Sequence, residues 1–274
     1  RQPAISFYTN DAYYIPASLL YKSFKTMSVL ASGAVVRQVL LSAGAEESQI
    51  MAKLQPIATD MHALGNPWIS YSVYLNNSFL PGLLQLMILL VTVFSIGSEM
   101  KRATSREWLR TADDSIIIAI TGKLIPQTII FFSMGLLYLS LLYGYLHFPM
   151  HNSIWHMIFA MFLLVVASQS FAVIIMCFAP SLRIGLSVGG LVGVLSLSIA
   201  GFSFPVPAMY LPFQAISYVL PVRHYFLIYV DQALNGIPLY YSRVHYVALI
   251  LFAVASTPLL PRLKKALMRQ VYVP

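Results

Sequence analysis

Charged residues are scarce in this chain: Asp, Glu, Lys and Arg make up 9% of its 274 residues against 58% hydrophobic, and mean hydropathy is +0.75. So little charge excludes an ordinary soluble surface and points to an integral membrane protein. The net charge of +8 gathers at the ends of apolar runs rather than in a stripe, so it describes topology and excludes a nucleic-acid footprint. A single cysteine, Cys177, sits in an apolar run. It excludes an intrachain disulfide framework and a thiolate metal cluster, and leaves packing as its role. No GxxxxGK[ST] loop occurs, since Gly122-Lys123 lacks both the earlier glycine and the following hydroxyl; the chain is not expected to hydrolyse ATP itself. The apolar runs carry no ionisable residue at mid-depth, which argues against a proton- or ion-driven carrier.

What is present is organised around residues 80–115. An uncharged run from Leu80 to Ser98 passes directly into EMKRATSREWLRTADDS. About 20 apolar residues match a hydrocarbon core of about 30 Å, and Lys101, Arg102, Arg106 and Arg110 form the cytoplasmic flank that the positive-inside bias requires. Thr104 and Glu107 have capping-box spacing and predict a short helix start. That helix would set Trp108, Leu109 and Ala112 on one side, an apolar face for docking to something in the cytoplasm.

Further uncharged runs follow at roughly Leu124 to Leu146, Trp155 to Phe178, Ile184 to Phe204 and Val244 to Leu260. Together with the first they predict five spans, a polytopic and mainly α helix bundle. Alternation puts 147–154 and 205–243 outside, and 179–183 and the tail after Pro261 inside. The charges agree through Arg183, Arg262, Lys264, Lys265 and Arg269, with Arg223 and Arg243 dissenting. Lys123 is expected to snorkel to the cytoplasmic interface. Residues 1–78 differ in kind and predict a small extracytoplasmic α/β domain: a strand near Ala4 to Tyr8, a helix from about Pro16 towards Leu41 capped by Asn10 or Asp11, a break at Ser42 to Glu47, then a second helix and a strand near Gln55 to Ala63. Residues 79–274 form the transmembrane domain. An outer domain followed by five spans predicts one more span before Arg1, six in the intact protein.

The outer segment, about 203–242, is apolar and aromatic but broken by Pro205, Pro207, Pro212 and Pro221. No single helix runs through it; two short helices dipping into the outer leaflet fit. Gly185-Leu186-Ser187-Val188-Gly189 matches GxSxG, the pattern of a nucleophile elbow, yet no strand precedes it, and Gly and Ser in an apolar helix equally serve close packing. His147, His151 and His156 crowd one short loop beside Met150 and Met157, a set of donors able to hold copper or zinc, though without a known ligand spacing.

In order and spacing the residues resemble the permease subunits of ABC-2 type exporters that carry an insert after the first span. The resemblance rests on Leu64-Gly65-Asn66-Pro67 with Tyr71 or Tyr74, Leu80-Pro81-Gly82, Glu99 followed by Ala103 to Thr111, Gly122-Lys123, Phe204-Pro205, and Pro221 with Tyr225 and Gly236. Ala103 stands where the family usually has glycine, Ala112 where it has proline, and Asp231 where a basic residue is commoner. The resemblance implies a multi-pass protein of the bacterial inner membrane, an exporter of hydrophobic or amphipathic substrate. Its partners would be a second permease copy, identical or not, and a separate ABC ATP-binding subunit that holds the ATP. This chain would bind no cofactor of its own; membrane lipids and a periplasmic adaptor are further candidate partners. A cytoplasmic coupling helix at about 99–114 would meet the ATPase through Glu99, Arg102, Thr104 and Glu107, with Trp108 and Leu109 as the anchor, and Phe204, Pro205 and Pro221 would lie at the outer gate. Two rival classes are a membrane-embedded hydrolase built on Ser187 and a secondary carrier.

Overall fold

The computed structural model describes residues 5–10, 14–44, 59–64 and 70–269. Contacts divide the chain into two units that meet in sequence between Tyr74 and Leu75.

In the first unit, β1 (Ile5–Asn10) pairs in parallel with β2 (Thr59–Leu64), Ile5 opposite Thr59 and Asn10 opposite Leu64. A parallel pair needs a long crossover rather than a hairpin. That crossover contains α1 (Tyr14–Ser42), whose Phe24 stacks on Phe7 of β1 at 4.2 Å between ring centroids. The expected second helix, the Asp11 cap and Gly65 to Pro67 lie outside the described residues.

Among the described residues six helices are long and apolar enough to cross a membrane. Five correspond to the runs read from the sequence: Tyr71–Lys101, Ile116–Tyr145, Ile154–Phe178, Leu182–Ile199 and Leu239–Arg269. The sixth, Pro16–Ser42, lies within α1 and has the lowest hydropathy of the six, 1.2, because Lys22, Lys25 and Arg37 interrupt it. The sequence reads it as part of an α/β domain for the same reason.

The second unit holds most of α2 (Tyr71–Lys101), then α3 (Ser105–Thr111), α4 (Ile116–Leu139), α5 (Ile154–Phe178), α6 (Leu182–Ile199), α7 (Leu211–Tyr218), α8 (Pro221–Tyr229), α9 (Leu239–Val254) and α10 (Leu260–Arg269). Serine side chains start three of these helices: Ser115, Ser153 and Ser181 accept from backbone N–H groups of Ile118, Trp155 and Ile184, satisfying donors that a helix start leaves free. α5 is apolar all round and central, with Leu164, Val165, Ala167 and Ala172 fully buried, the pattern of a helix enclosed by others. By contrast α4 exposes Ile117, Ile129 and Leu137, a face suited to lipid.

α2 and α6 run antiparallel along a seam of glycines. A Cβ at Gly82 would lie 2.5 Å from Leu197 and at Gly97 2.9 Å from Leu182, and one at Gly193 would run into Leu86. Each leucine fills the space left by a missing side chain, the close approach that small residues permit between membrane helices. Gln85, fully buried on α2, donates to Ser196 of α6 at 3.0 Å and accepts from the N–H of Val222 at 2.8 Å. One side chain thereby ties α2 to α6 and satisfies a free donor at the start of α8.

The prolines of residues 203–242 interrupt the helices as expected, with Pro212 in the first turn of α7 and Pro221 opening α8. At this end Asn152 donates to Gln232, Gln232 to Ser242, and Ser242 to Asp231, at 3.0, 2.7 and 3.0 Å. Burial pushes the Asp231 carboxyl above its usual range, and the Ser242 hydrogen bond pulls it partly back. Gly236 turns at φ 61 with His151 packed on it. Arg223 dissents from the charge rule for a local reason: it is buried, lies over the Tyr218 ring and donates to the carbonyl of Ala200 at the end of α6, where a cation complements free carbonyls.

Candidate functional site

At the opposite end of the bundle the chain bends twice around α3. Ala103 sits at φ 60 between α2 and α3, and Asp113 and Asp114 at φ 52 and 50 between α3 and α4. Left-handed backbone costs an alanine about 1–2 kcal/mol relative to glycine-like freedom, which explains why glycine is usual there in the family the sequence resembles. Ala103→Gly is therefore expected to stabilise the protein by about 1 kcal/mol, read as a rise in thermal midpoint. An unchanged or lower midpoint would contradict a strained bend.

Glu99 is the hub. It accepts from Lys123 Nζ at 2.6 Å and from the Thr104 hydroxyl, while Lys123 also donates to the Ser95 carbonyl at 2.8 Å and lies 4.3 Å from the Trp108 ring centroid. Two departures from expectation follow. Thr104 forms no capping box, making no side-chain bond to the start of α3, because its backbone is helical (φ −90, ψ 0) rather than extended as a cap requires, and its hydroxyl is turned to the Glu99 carboxylate. Lys123 does not snorkel away either. α4 begins at Ile116, so Lys123 stands two turns inside the helix and faces α2.

The apolar side of α3 is also spoken for within the chain. Leu109 is 0% exposed and Ala112 7%, in one cluster with Ile96, Ile116, Met176, Leu260 and Leu263. Trp108 packs against that cluster. The expected docking face thus turns inward, because the ends of α2, α4, α5 and α10 converge there and pack their apolar residues against it. Three side-chain bonds add to this: Ser105 donates to the Leu267 carbonyl at 3.0 Å, Arg106 to the Met268 carbonyl at 3.1 Å, and Lys264 to the Asp114 carbonyl at 2.6 Å. α10 is the brace, an element not expected from the sequence. Its signal was present in Leu260, Leu263 and Leu267 at one-face spacing beyond Pro258. Arg102, Arg106, Glu107, Arg110 and Thr111 remain exposed, so the outward face of α3 is polar.

The other candidates are dispersed. Ser187 lies inside α6, its hydroxyl donating to the Arg183 carbonyl one turn back at 3.0 Å, and a Cβ at Gly185 would meet Met176 and Val93 at 2.8 and 2.9 Å. These glycines serve packing, not a strand-to-helix elbow, and the hydrolase reading fails on that geometry. His151 Nδ1 is bonded to the Ala233 carbonyl at 2.9 Å, and among the described residues no three His, Cys, Asp or Glu gather to hold a metal. Phe204 is exposed, whereas Phe202 is buried between Phe79 and Phe226 at 6.5 and 5.6 Å; the aromatic that packs at the end of α6 is two residues earlier than expected. Pro221 is buried.

The family model for ABC-2 family transporter proteins matches residues 1–260. The chain belongs to that family. No curated protein matches it. It is therefore a membrane component of an ABC transporter, a multi-pass permease, and the matched region takes in the first unit and most of the second. In this permease α3 stands where the family resemblance puts the coupling helix, now with a polar exposed face and a fully internal Leu109.

Proposed function

We propose that this permease is the membrane gate of an ATP-driven exporter in a cell's inner membrane, working as one of two copies and moved by a separate ATP-binding subunit that grips α3 from the cytoplasm. The observation that carries the reading is the mounting of α3. A short helix with an exposed charged face is bonded to α2 through Glu99 and Thr104, to α4 through Lys123 and Trp108, and to α10 through Ser105 and Arg106. A push on such a helix moves three longer ones as rigid bodies. Arg102, Glu107 and Arg110 then make the contact, Glu99 and Thr104 hold the helix in place, and Leu109 seats it. The strand pair β1–β2 is assigned to the outer side by the resemblance to permeases that carry an insert after the first span.

A cavity of about 400 Å³ lined by Ile120, Leu124, Thr128, Gln169, Ser170 and Ser256 supports an apolar or amphipathic cargo: it is mostly hydrocarbon with a few orienting polar groups. Export from the inner leaflet agrees with its place beside α4 and α10.

The reading is tested on the permease copurified with its ATPase. Glu107→Arg, exposed and outside the core, is expected to cut transport-coupled ATP hydrolysis by about tenfold, the scale of a lost or reversed interface charge pair, with thermal stability unchanged. Trp108→Ala is expected to uncouple transport while the protein still inserts. Full export by both variants would overturn the assignment of α3.

A further inference from the structure

α10 has two faces with opposite chemistry. Leu260, Leu263 and Leu267 are buried; Arg262, Lys265 and Arg269, at the same one-face spacing, are exposed. Behind the cationic face lies a cavity of about 460 Å³, whose walls include Met100, Phe178 and Pro180 together with these three cations. Among the described residues no Asp or Glu lines it, so none of them neutralises the positive charge from within. The Arg262 guanidinium is fixed 4.6 Å over the Phe178 ring, and neighbouring Lys264 is directed elsewhere, to Asp114.

The depth of this cavity is informative. Met100 stands two residues past the end of the uncharged run of α2 and Phe178 is the last residue of α5, so the cavity lies where hydrocarbon gives way to headgroups. Cations clustered there, above an apolar wall, have the chemistry that recognises a phosphodiester with acyl chains beneath it. We propose that the cationic face of α10 and the cavity behind it bind the headgroup of an anionic phospholipid from the adjoining leaflet. A free phosphate shares the charge but gains nothing from Met100 and Phe178, which favours the lipid. The inference needs only that this end of the bundle meets a membrane surface and stands apart from the grip of an ATPase on α3.

The test uses the full chain with the subunits that copurify, titrated in mild detergent with phosphatidylglycerol or phosphatidylcholine of identical acyl chains and read by native mass spectrometry. Phosphatidylglycerol is expected to bind in clear preference. Lys265→Gln is expected to weaken that preference roughly fivefold, and the Arg262→Gln, Lys265→Gln, Arg269→Gln triple variant by well over about tenfold, with phosphatidylcholine binding unchanged and Lys265→Arg restoring the preference. Thermal midpoints report folding, and Lys265→Gln, a change at an exposed position, keeps the test open if the triple variant fails to fold. Equal binding of the two lipids, or a preference indifferent to Lys265→Gln, overturns the proposal. So does inorganic phosphate binding as tightly as the lipid, which makes this a free-anion site. Loss of a copurifying subunit by the variants with lipid preference intact makes it a protein contact and overturns it equally.

Discussion

Leu109→Ala is expected to destabilise the permease by about 3 kcal/mol, in the range for a fully buried leucine whose cavity cannot collapse. Leu109 has no exposed surface and packs where α2, α4, α5 and α10 converge on α3. Collapse is resisted because each of those helices is fixed by other contacts, among them the Ser105 bond to Leu267 and the Lys264 bond to Asp114. The purified protein should lose roughly 5–10 °C in thermal midpoint. Below that midpoint the polar face of α3 should still meet its partner, so the loss is one of stability before it is one of coupling. A cost under about 1 kcal/mol would mean that Leu109 is not the internal anchor.

Lys123→Met is expected to have the largest effect on coupling. The change leaves the Glu99 carboxylate, with 24% of its side chain exposed, without its counter-charge and takes the cation from the Trp108 ring. Removing one member of a largely buried pair costs several kcal/mol in a dry interior, and the partial exposure here reduces that to about 2 kcal/mol. Thr104 and the nearby charge of Arg102 are then left to hold Glu99, and the bend loses its ionic link to α4. Coupled ATP hydrolysis should fall by about tenfold or more, the rate equivalent of about 1.4 kcal/mol or more in the barrier. The exchange Glu99→Lys with Lys123→Glu should recover part of it, which a double-mutant cycle will read as a favourable interaction energy. Independent, additive effects of the two single changes would remove Glu99 and Lys123 from the mechanism.

Much of this architecture was legible because membrane sequences are blunt. Uninterrupted apolar runs gave the spans, and Pro212 and Pro221 broke the outer segment into α7 and α8 where a proline can only open a helix. Periodicity identified Trp108, Leu109 and Ala112 as one face of α3. It had no means of telling whether that face meets a partner or the chain's own core, since both need the same residues. Thr104 and Glu107 misled for a related reason: local spacing does not reveal that a carboxylate five residues earlier, beyond a bend, is the better partner. The Glu99–Lys123 pair spans two helices and the bonds from Ser105 and Arg106 reach more than half the chain ahead; no local pattern carries such distances. Arg223, an exception to the charge rule in sequence, became intelligible once the end of α6 was placed beside it.

The glycine seam between α2 and α6 limits how the permease is able to move. Leu86 sits in the notch at Gly193, Leu197 in the notch at Gly82, and Leu182 in the notch at Gly97, so the helices mesh like a rack and pinion at three points along their length. Axial slippage would drive leucine into backbone at every notch at once. A stroke delivered to α2 must therefore carry α6 as cargo, and the surfaces that part during a cycle have to be sought on the flanks of this pair, not between its members.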